Sequence, residues 1–592
     1  MKKLADGKKI EYCALALFIA LHVAATIVHE PWFDEAQSWQ IAKCASLREL
    51  LLVIPHYEGH PPLWWLILAV PAKLGVPYEI GLKTVGFIIS ITAATLMIFY
   101  SNLPRMLRLT LPFTYFFFYQ YGVIVRPYGI MLLVMILLGK ELARRNERPW
   151  RTAALLMLLC LTCAYGFLFA GGIAICMVLE ILREKGFRIF KEMFRDQRTR
   201  SLCALLLFAL ILAAQIFPRA DTYIPVDDHK NPFWLCLLCA VLTLPVECFC
   251  ATSSWFMVDE KLLQIASIPA SELIAFCLIG SILWLVVICI SSKKNLKYLL
   301  IPYLLFAVFA AKMYFSCHHI GIVFLFFIFW LELMMTDKQF GEIGRYIGKA
   351  IIKTGKDRRM IRVIYRGIVL VCLLVPLYWS TGAFVHDCTR LYSPGRSLSQ
   401  FVGRNGMEDC SIFATWNASG SAFPESEGDD DYIVTTICHT GVELSAYYPR
   451  NMVLNLNDGD DRYAYSVHRR VSYAENEEAK SRWRAKGKPD LILGKPNIEA
   501  VYGDELNYEE YTLVDIIPID AVWKNHYRSS KLPIFLRNDL LEIYALEPIK
   551  GAEAASILGF RITDEMIEDF NNGIPAEEIL KPYLDQMFKR DG

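Results

Sequence analysis

Long apolar runs recur along this chain through residue 385 and then stop. Several reach the roughly 18–20 residues that a bilayer-crossing helix requires. With 55% hydrophobic residues and a mean hydropathy of +0.34 over 592 residues, the chain is too apolar for a soluble globular protein of its length. The first run, residues 10–28, follows a short basic leader and carries no small-residue cleavage site, so it reads as a retained membrane helix.

The net charge of +1 hides an asymmetry. Residues 386–592 carry 22 Lys and Arg against 35 Asp and Glu, and the remainder carries 39 against 25. A basic membrane portion with an acidic tail is the pattern of cytoplasmic basic loops joined to an external domain. The basic residues sit in loops between apolar runs, which speaks against nucleic-acid binding. The 17 Cys are scattered, mostly inside apolar segments, the pairs Cys160/Cys163 and Cys236/Cys239 included, where a Cys serves as a small hydrophobe. Cys410 and Cys438 of the tail are the pair open to a disulfide if the tail is extracytoplasmic.

Basic loops at Lys2–Lys9, Arg144–Arg151, Arg183–Arg200, Lys293–Lys297 and Lys338–Arg366 are expected to face the cytoplasm, and loops poor in Lys and Arg, beginning with 29–60, to face outward. Counting every apolar run gives about 13 helices. Setting aside residues 61–75, which open on Pro-Pro, and residues 233–250, which contain Pro245, leaves eleven and puts every basic loop inside. The expectation is a mainly α, polytopic transmembrane bundle of about 11–13 helices over residues 1–385, with a first external loop at 29–60. A soluble extracytoplasmic α/β domain follows over residues 386–592, with the N-terminus cytoplasmic. In that tail, strands are expected at Ser411–Trp416, Tyr432–Cys438, Asn451–Leu456, Asp490–Leu493, Thr512–Ile519 and Leu541–Leu546, and helices at Tyr473–Ala485 and Asp564–Asn571.

The chemistry-bearing residues gather at the expected outer face. Asp34 and Glu35 are adjacent acids in a loop flanked by Trp32, Phe33 and Trp39. A carboxylate at an apolar boundary serves as a general base; the plainer alternative is a pair of solvated acids at a helix end. His60 precedes Pro61-Pro62, which fix the backbone where a hydrophobic segment begins. Arg126-Pro127-Tyr128 opens another run, where Arg either grips a phosphate or snorkels to the interface. Lys312 and the tandem His318-His319 lie at a later outer turn, as phosphate ligands or as interfacial polar residues. Asp429–Asp431 reads as a solvated loop. No Walker A loop and no dinucleotide-binding glycine fingerprint is present, so a nucleotide-linked donor has no support.

Phe33-Asp34-Glu35, then His60-Pro61-Pro62-Leu63, then Arg126-Pro127-Tyr128, then Cys317-His318-His319-Ile320-Gly321, taken in that order, resemble the GT-C superfamily of polytopic glycosyltransferases. The likeness is to the branch holding the protein O-mannosyltransferases and the lipid A aminoarabinose transferases. It covers roughly the first 385 residues, best over 10–145. It departs at Cys317, where relatives tend to carry Arg before the His. The resemblance implies a hexosyl- or pentosyltransferase of the cell envelope that uses a polyprenyl-phosphate sugar and transfers with inversion at the outer face of the plasma membrane. Asp34 would be the general base, with Glu35 orienting it or the sugar. His60 and Arg126 would contact the donor phosphate, with Tyr128, Lys312, His318 and His319 as further donor or substrate contacts. The acceptor is left open among a lipid, a polymer and a protein. No cofactor is required by the residues; a divalent metal is compatible with the acids but has no ligand spacing behind it. The rival readings are a lipid or glycolipid transporter and a membrane-anchored envelope-binding protein.

Overall fold

The computed structural model describes residues 8–186, 195–222, 232–250, 270–313, 315–342, 344–346, 359–417, 420–421, 432–434, 439–456, 469–494, 510–549, 569, 572–575 and 578–579. The fold is mostly helical with a small C-terminal sheet. Contacts divide it into two compact units. The first comprises residues 1–29, 45–389 and 522–527, and the second residues 30–44, 390–521 and 528–592. Residues 30–44, expected to belong to the membrane domain, therefore group with the tail, and residues 522–527 group with the membrane helices.

Among the described residues, eight helices of the first unit are long and apolar enough to cross a membrane: Lys9–Val28, Tyr78–Tyr100, Ala164–Lys185, Gln197–Ile216, Ala270–Ile290, Lys293–Lys312, Cys317–Asp337 and Arg366–Thr389. Eight such helices make this an integral membrane protein, because in hydrocarbon a helix satisfies its own backbone polar groups. The expected 11–13 is a count of apolar runs over the whole chain, shorter ones included. Leu63–Lys73, Pro149–Cys160 and Phe233–Phe249 are apolar but short. The run around residues 105–125 is broken into an α-helical turn at Arg105–Thr110, a 3-10 turn at Leu111–Phe113 and a π-helix at Phe116–Val123, with Pro104 and Pro112 at the first two starts.

Burial sorts these helices. The span Cys317–Asp337 is 83% buried and forms the centre of its unit, whereas Ala270–Ile290, the most apolar, is 17% buried. Its Leu278, Ile282 and Leu285 stay about 60% exposed, as side chains that meet lipid do. Close approach at the centre depends on small residues: a Cβ at Gly139 would stand 2.7 Å from Phe329 O and from Glu332 Cβ. Phe169 stacks on Phe326 at 4.8 Å and on Phe306 at 5.3 Å. Two buried acids of this unit are paired: Ser101 Oγ and Asn102 N donate to Glu332 at 2.6 and 2.7 Å, and Arg145 grips Glu180 through two bonds of 2.7 and 2.6 Å.

In the second unit the strands are β1 (Ile412–Ala414), β2 (Trp416–Asn417), β3 (Gly420–Ser421), β4 (Tyr432–Val434), β5 (Arg470–Ser472), β6 (Leu491–Leu493), β7 (Tyr511–Trp523) and β8 (His526–Arg537). Four of them form a sheet in the order β1-β6-β8-β7. β1 runs parallel to β6 with Phe413 opposite Ile492, and β6 antiparallel to β8 with Ile492 opposite Phe535. A parallel pair needs a crossover, and the connection from β1 to β6 contains the helix Tyr473–Ala485. That helix starts on a Ser472/Glu475 capping box. Ala479 and Trp483, one turn apart, pack with Phe413, Ile492, Tyr511, Leu513 and Phe535 in one hydrophobic cluster.

The expected mixed tail is therefore present, with corrections. Asn451–Leu456 is not a strand: it touches β1 through a single bridge at Val453 and turns into a 3-10 helix at Leu454–Leu456. Leu541–Leu546 is a short helix, Leu541–Tyr544, closed by Ala545 at φ 52°. β8 was not expected, because its first half is polar and exposed and only Leu532–Leu536 carries a buried run. Cys438, Asp429–Asp431 and, apart from Asp569, the expected helix Asp564–Asn571 lie outside the described residues, and Cys410 Sγ lies 3.1 Å from Tyr544 Oη.

Candidate functional site

The candidate residues fall into both units, and each group is built locally. In the first unit, three separate segments converge on His319. The helix Lys293–Lys312 ends shortly before a 3-10 turn, Cys317–His319, which leads into the central helix. Ser316 organises this turn: its backbone N–H donates to His319 Nδ1 at 3.2 Å, and its Oγ lies 2.7 Å from His318 Nδ1. Because Nδ1 of His319 accepts that bond, the ring's proton belongs on Nε2 in the neutral tautomer.

Tyr128 begins its helix directly after Pro127, and its ring meets His319 edge-on at 5.8 Å. Arg126 lies over the Tyr128 ring at 5.4 Å. Tyr121, carried by the π-helix, packs on Tyr128 at 5.0 Å and donates its hydroxyl to His318 O at 3.0 Å. Tyr165 Oη lies 3.3 Å from His319 Nδ1. His318, Arg126 and His60 all act electrostatically on His319. Arg126, Tyr128, His318, His319 and His60, expected from three separate motifs, are thus brought together. Together they set one guanidinium, three imidazoles and a phenol ring in one neighbourhood. Lys312 is an exposed residue at the end of its helix, where a cation complements the last carbonyls. Tyr121, Tyr165 and Ser316 were not expected; only Ser316, at the start of the turn carrying the two His, gave a sequence signal, that of a cap.

His60 itself follows Gly59, which ends the short helix Ile54–Glu58 at φ 62°, a conformation that favours glycine. Also in the first unit, an open apolar groove of about 390 Å³ runs between Lys9–Val28 and Tyr78–Thr95, lined by Val23, Ile27, Ile80 and Phe87. The Glu79–Lys83 ion pair, at 2.6 Å, borders it.

In the second unit, the expected polar loop around Asp34 is a helix, Phe33–Cys44. Glu35 starts it: fully buried, its Oε2 accepts from Trp32 N–H at 3.1 Å, the reach-back that satisfies an orphan donor. Glu35 is thus committed to holding the helix start, while Asp34, next to it, is partly exposed. The short helix His439–Ser445 packs here. His439 lies flat on Phe33, ring centroids 3.7 Å apart at 20°. Burial lowers the His439 pKa to about 4, against the attraction of Asp34, so the ring is neutral. One turn on, Glu443 is buried, and Ser393 Oγ donates to its Oε1 at 3.1 Å. Burial, with the charges of Glu30 and Asp34 added, pushes the Glu443 carboxyl up to about 8. Arg396 approaches Glu30 at 3.8 Å. His439 and Glu443 were missed; their i, i+4 spacing is the sequence signal for one helix face, but nothing in it names Phe33 or Asp34 as the partner.

Among the described residues, no group of three or more His, Cys, Asp or Glu side chains is placed to hold a metal ion. No known family model matches the chain, and no curated protein matches it either.

Proposed function

We propose that this chain is a membrane glycosyltransferase that moves a sugar from a polyprenyl-phosphate donor to an acceptor at the extracytoplasmic face, with inversion at the anomeric carbon. The observation that carries the reading is the gathering of Arg126, Tyr128, His318 and His60 around the buried imidazole of His319. A site rich in positive donors is what a phosphate leaving group requires, since negative charge develops on it as the glycosidic bond breaks.

In this reaction Asp34 takes the proton of an acceptor hydroxyl. The hydroxyl oxygen then bonds to the anomeric carbon, and the bond from that carbon to the phosphate oxygen breaks. The electron pair stays on the lipid phosphate, where Arg126 offers two parallel donors. Glu35 supports Asp34 indirectly, by fixing the start of its helix. The apolar groove beside the first helix suits a prenyl chain, which needs apolar walls and access from the bilayer. The charge asymmetry between the helical part and the tail supports a cytoplasmic N-terminus and an extracytoplasmic tail.

The test is transfer from a prenyl-phosphate hexose in membranes. Asp34→Asn is expected to lower the rate by about 10²–10⁴-fold, the usual contribution of a general base. Full activity of that variant would remove Asp34 from the role. The same groove also fits a lipid transporter; purified protein that moves a prenyl-phosphate lipid across vesicles and transfers no sugar would favour that second reading.

A further inference from the structure

Cys160, Cys163, Cys236 and Cys239 are buried, as small hydrophobes are. Cys250 and Cys372 are different. Their sulfurs stand 4.0 Å apart, brought together from positions 122 apart in the chain. Both residues are only partly buried, whereas Cys248, two residues before Cys250, is fully buried. The backbone is loosened at each. Cys250 closes the helix Phe233–Phe249: its N–H still donates to Val246 O at 2.9 Å, but its own φ of −122° has left the helical range. Cys372 lies in the last membrane helix, four residues before Pro376. A proline has no N–H, so the Cys372 carbonyl loses its helical partner and the helix can bend there. Val371 and Leu374 beside it are about half exposed, which opens this stretch to the bilayer. The pair belongs to a larger seam. Glu247 lies one turn before Cys250, and Trp379 two turns after Cys372. Lys524 Nζ meets both, 2.9 Å from Glu247 Oε2 and 4.4 Å from the Trp379 ring centroid. All of these residues belong to the first unit.

We propose that Cys250 and Cys372 form a reversible disulfide, a redox-sensitive clamp that joins the end of Phe233–Phe249 to the last membrane helix beside the seat of Lys524. A disulfide holds its sulfurs about 2.05 Å apart, so the two must approach by about 2 Å. Turning a thiol from one staggered χ1 position to another moves its sulfur by that order, and the loosened backbone at both residues accommodates the remainder. The oxidant is a small organic disulfide, consumed in two exchanges. The thiolate of one Cys attacks it, forms a mixed disulfide and expels the first thiolate. The other Cys, already in contact, attacks the protein-bound sulfur and expels the second. The protein gives up two protons and two electrons, and the oxidant leaves as two thiols. Because the bond closes a loop of 122 positions, it removes much freedom from the unfolded chain. The clamp is independent of the glycosyltransferase reading.

The experiment uses the full chain, reduced and solubilised in detergent, with dipyridyl disulfide as the oxidant. Peptides are then mapped by mass spectrometry without reduction. A peptide joining Cys250 to Cys372 is expected in wild type and in Cys248→Ala, absent from Cys250→Ala and Cys372→Ala, and lost again on adding dithiothreitol. Oxidation is expected to raise the thermal midpoint of wild type by roughly 5–10 °C and to leave that of Cys250→Ala, treated alike, where it was. Pyridyl adducts on both Cys250 and Cys372 with no cross-link, no reaction at either, or a bond from Cys250 to Cys248 overturns the pairing. A cross-link with an unchanged midpoint overturns the clamp. If an Ala variant fails to fold, the wild-type peptide map still decides, since it reads the bond itself.

Discussion

His29 Nδ1 stands 2.8 Å from Asp387 Oδ2, with both side chains 1% exposed. His29 closes the first membrane helix, Asp387 lies near the end of the last, and Tyr119 of the π-helix donates its hydroxyl to the same oxygen at 2.8 Å. Three segments separated by much of the chain are tied at one atom. A hydrogen bond to a charged group contributes roughly 1.5–3 kcal/mol, and removing one partner exposes the cost of leaving the others buried. Asp387→Leu is therefore expected to destabilise the first unit more than Asp387→Asn, which keeps an acceptor oxygen. The thermal midpoints of the solubilised variants check the order, and equal midpoints would show that the network is not structural.

Lys524 offers a second stability test. It sits in the two-residue turn between β7 and β8 at φ 55°, an unfavourable conformation for a side-chain-bearing residue. Its ammonium group is fully buried 2.9 Å from Glu247 Oε2, with the rings of Trp379 and Trp523 each 4.4 Å away. Lys524→Met strands the Glu247 carboxylate and is expected to cost about 3–5 kcal/mol. Adding Glu247→Gln is expected to restore most of that loss, because the stranded charge is gone. A double-mutant cycle on denaturation midpoints measures the coupling; additive losses would show that the two side chains act independently.

The membrane part was readable in the sequence where apolar length alone decided, as in Lys9–Val28 and Ala270–Ile290. Where prolines and π-helical turns break a run, as between Arg105 and Val123, apolar length gives no sign of it, because hydropathy is blind to backbone hydrogen bonding. The loop around Asp34 hid a helix, although the Trp32–Glu35 reach-back is a signal that spacing carries. Arg126, Tyr128 and His319 were readable as candidates, and their meeting was not, since it depends on tertiary contacts of residues nearly 200 apart. Glu443 and His439 were invisible for a related reason: a buried acid looks like a surface acid until its neighbours are known.

Those two residues set opposing pH dependences in the second unit. The His439 pKa is lowered from 6.5 to about 4, so the unfolded chain binds the extra proton in that window and stability rises with pH across it. The Glu443 pKa is raised from 4.5 to about 8, so the folded chain binds the extra proton and stability falls as pH rises through its window. Between 4.5 and 6.5 the two slopes oppose and nearly cancel. Above 6.5 Glu443 acts alone, and stability is expected to drop by roughly 2 kcal/mol by pH 8, at about 1.4 kcal/mol per pH unit. Hydrogen-exchange protection of residues 439–446, corrected for intrinsic rate, reads this directly. Glu443→Gln is expected to abolish the decline above pH 6.5; a decline that persists would assign it to another group.

Arg126 tests the phosphate half of the proposal. It lies over the Tyr128 ring at 5.4 Å, and its charge reaches His319. Lys keeps a positive charge but lacks the planar fork that meets two phosphate oxygens at once. Arg126→Lys is therefore expected to lose a large part of what Arg126→Ala loses, on the order of 10² in transfer rate if the residue stabilises the leaving phosphate. Because that charge develops only as the bond breaks, the loss belongs in kcat more than in the donor KM. Tyr128→Phe, which keeps the ring beneath the guanidinium, is expected to transfer within about threefold of wild type, whereas Tyr128→Leu removes the ring's cation–π attraction and loosens Arg126. Steady-state transfer from a prenyl-phosphate hexose separates these outcomes. A loss in Arg126→Lys confined to KM would make Arg126 a ground-state contact to the donor, and full activity of Arg126→Ala would place the phosphate elsewhere.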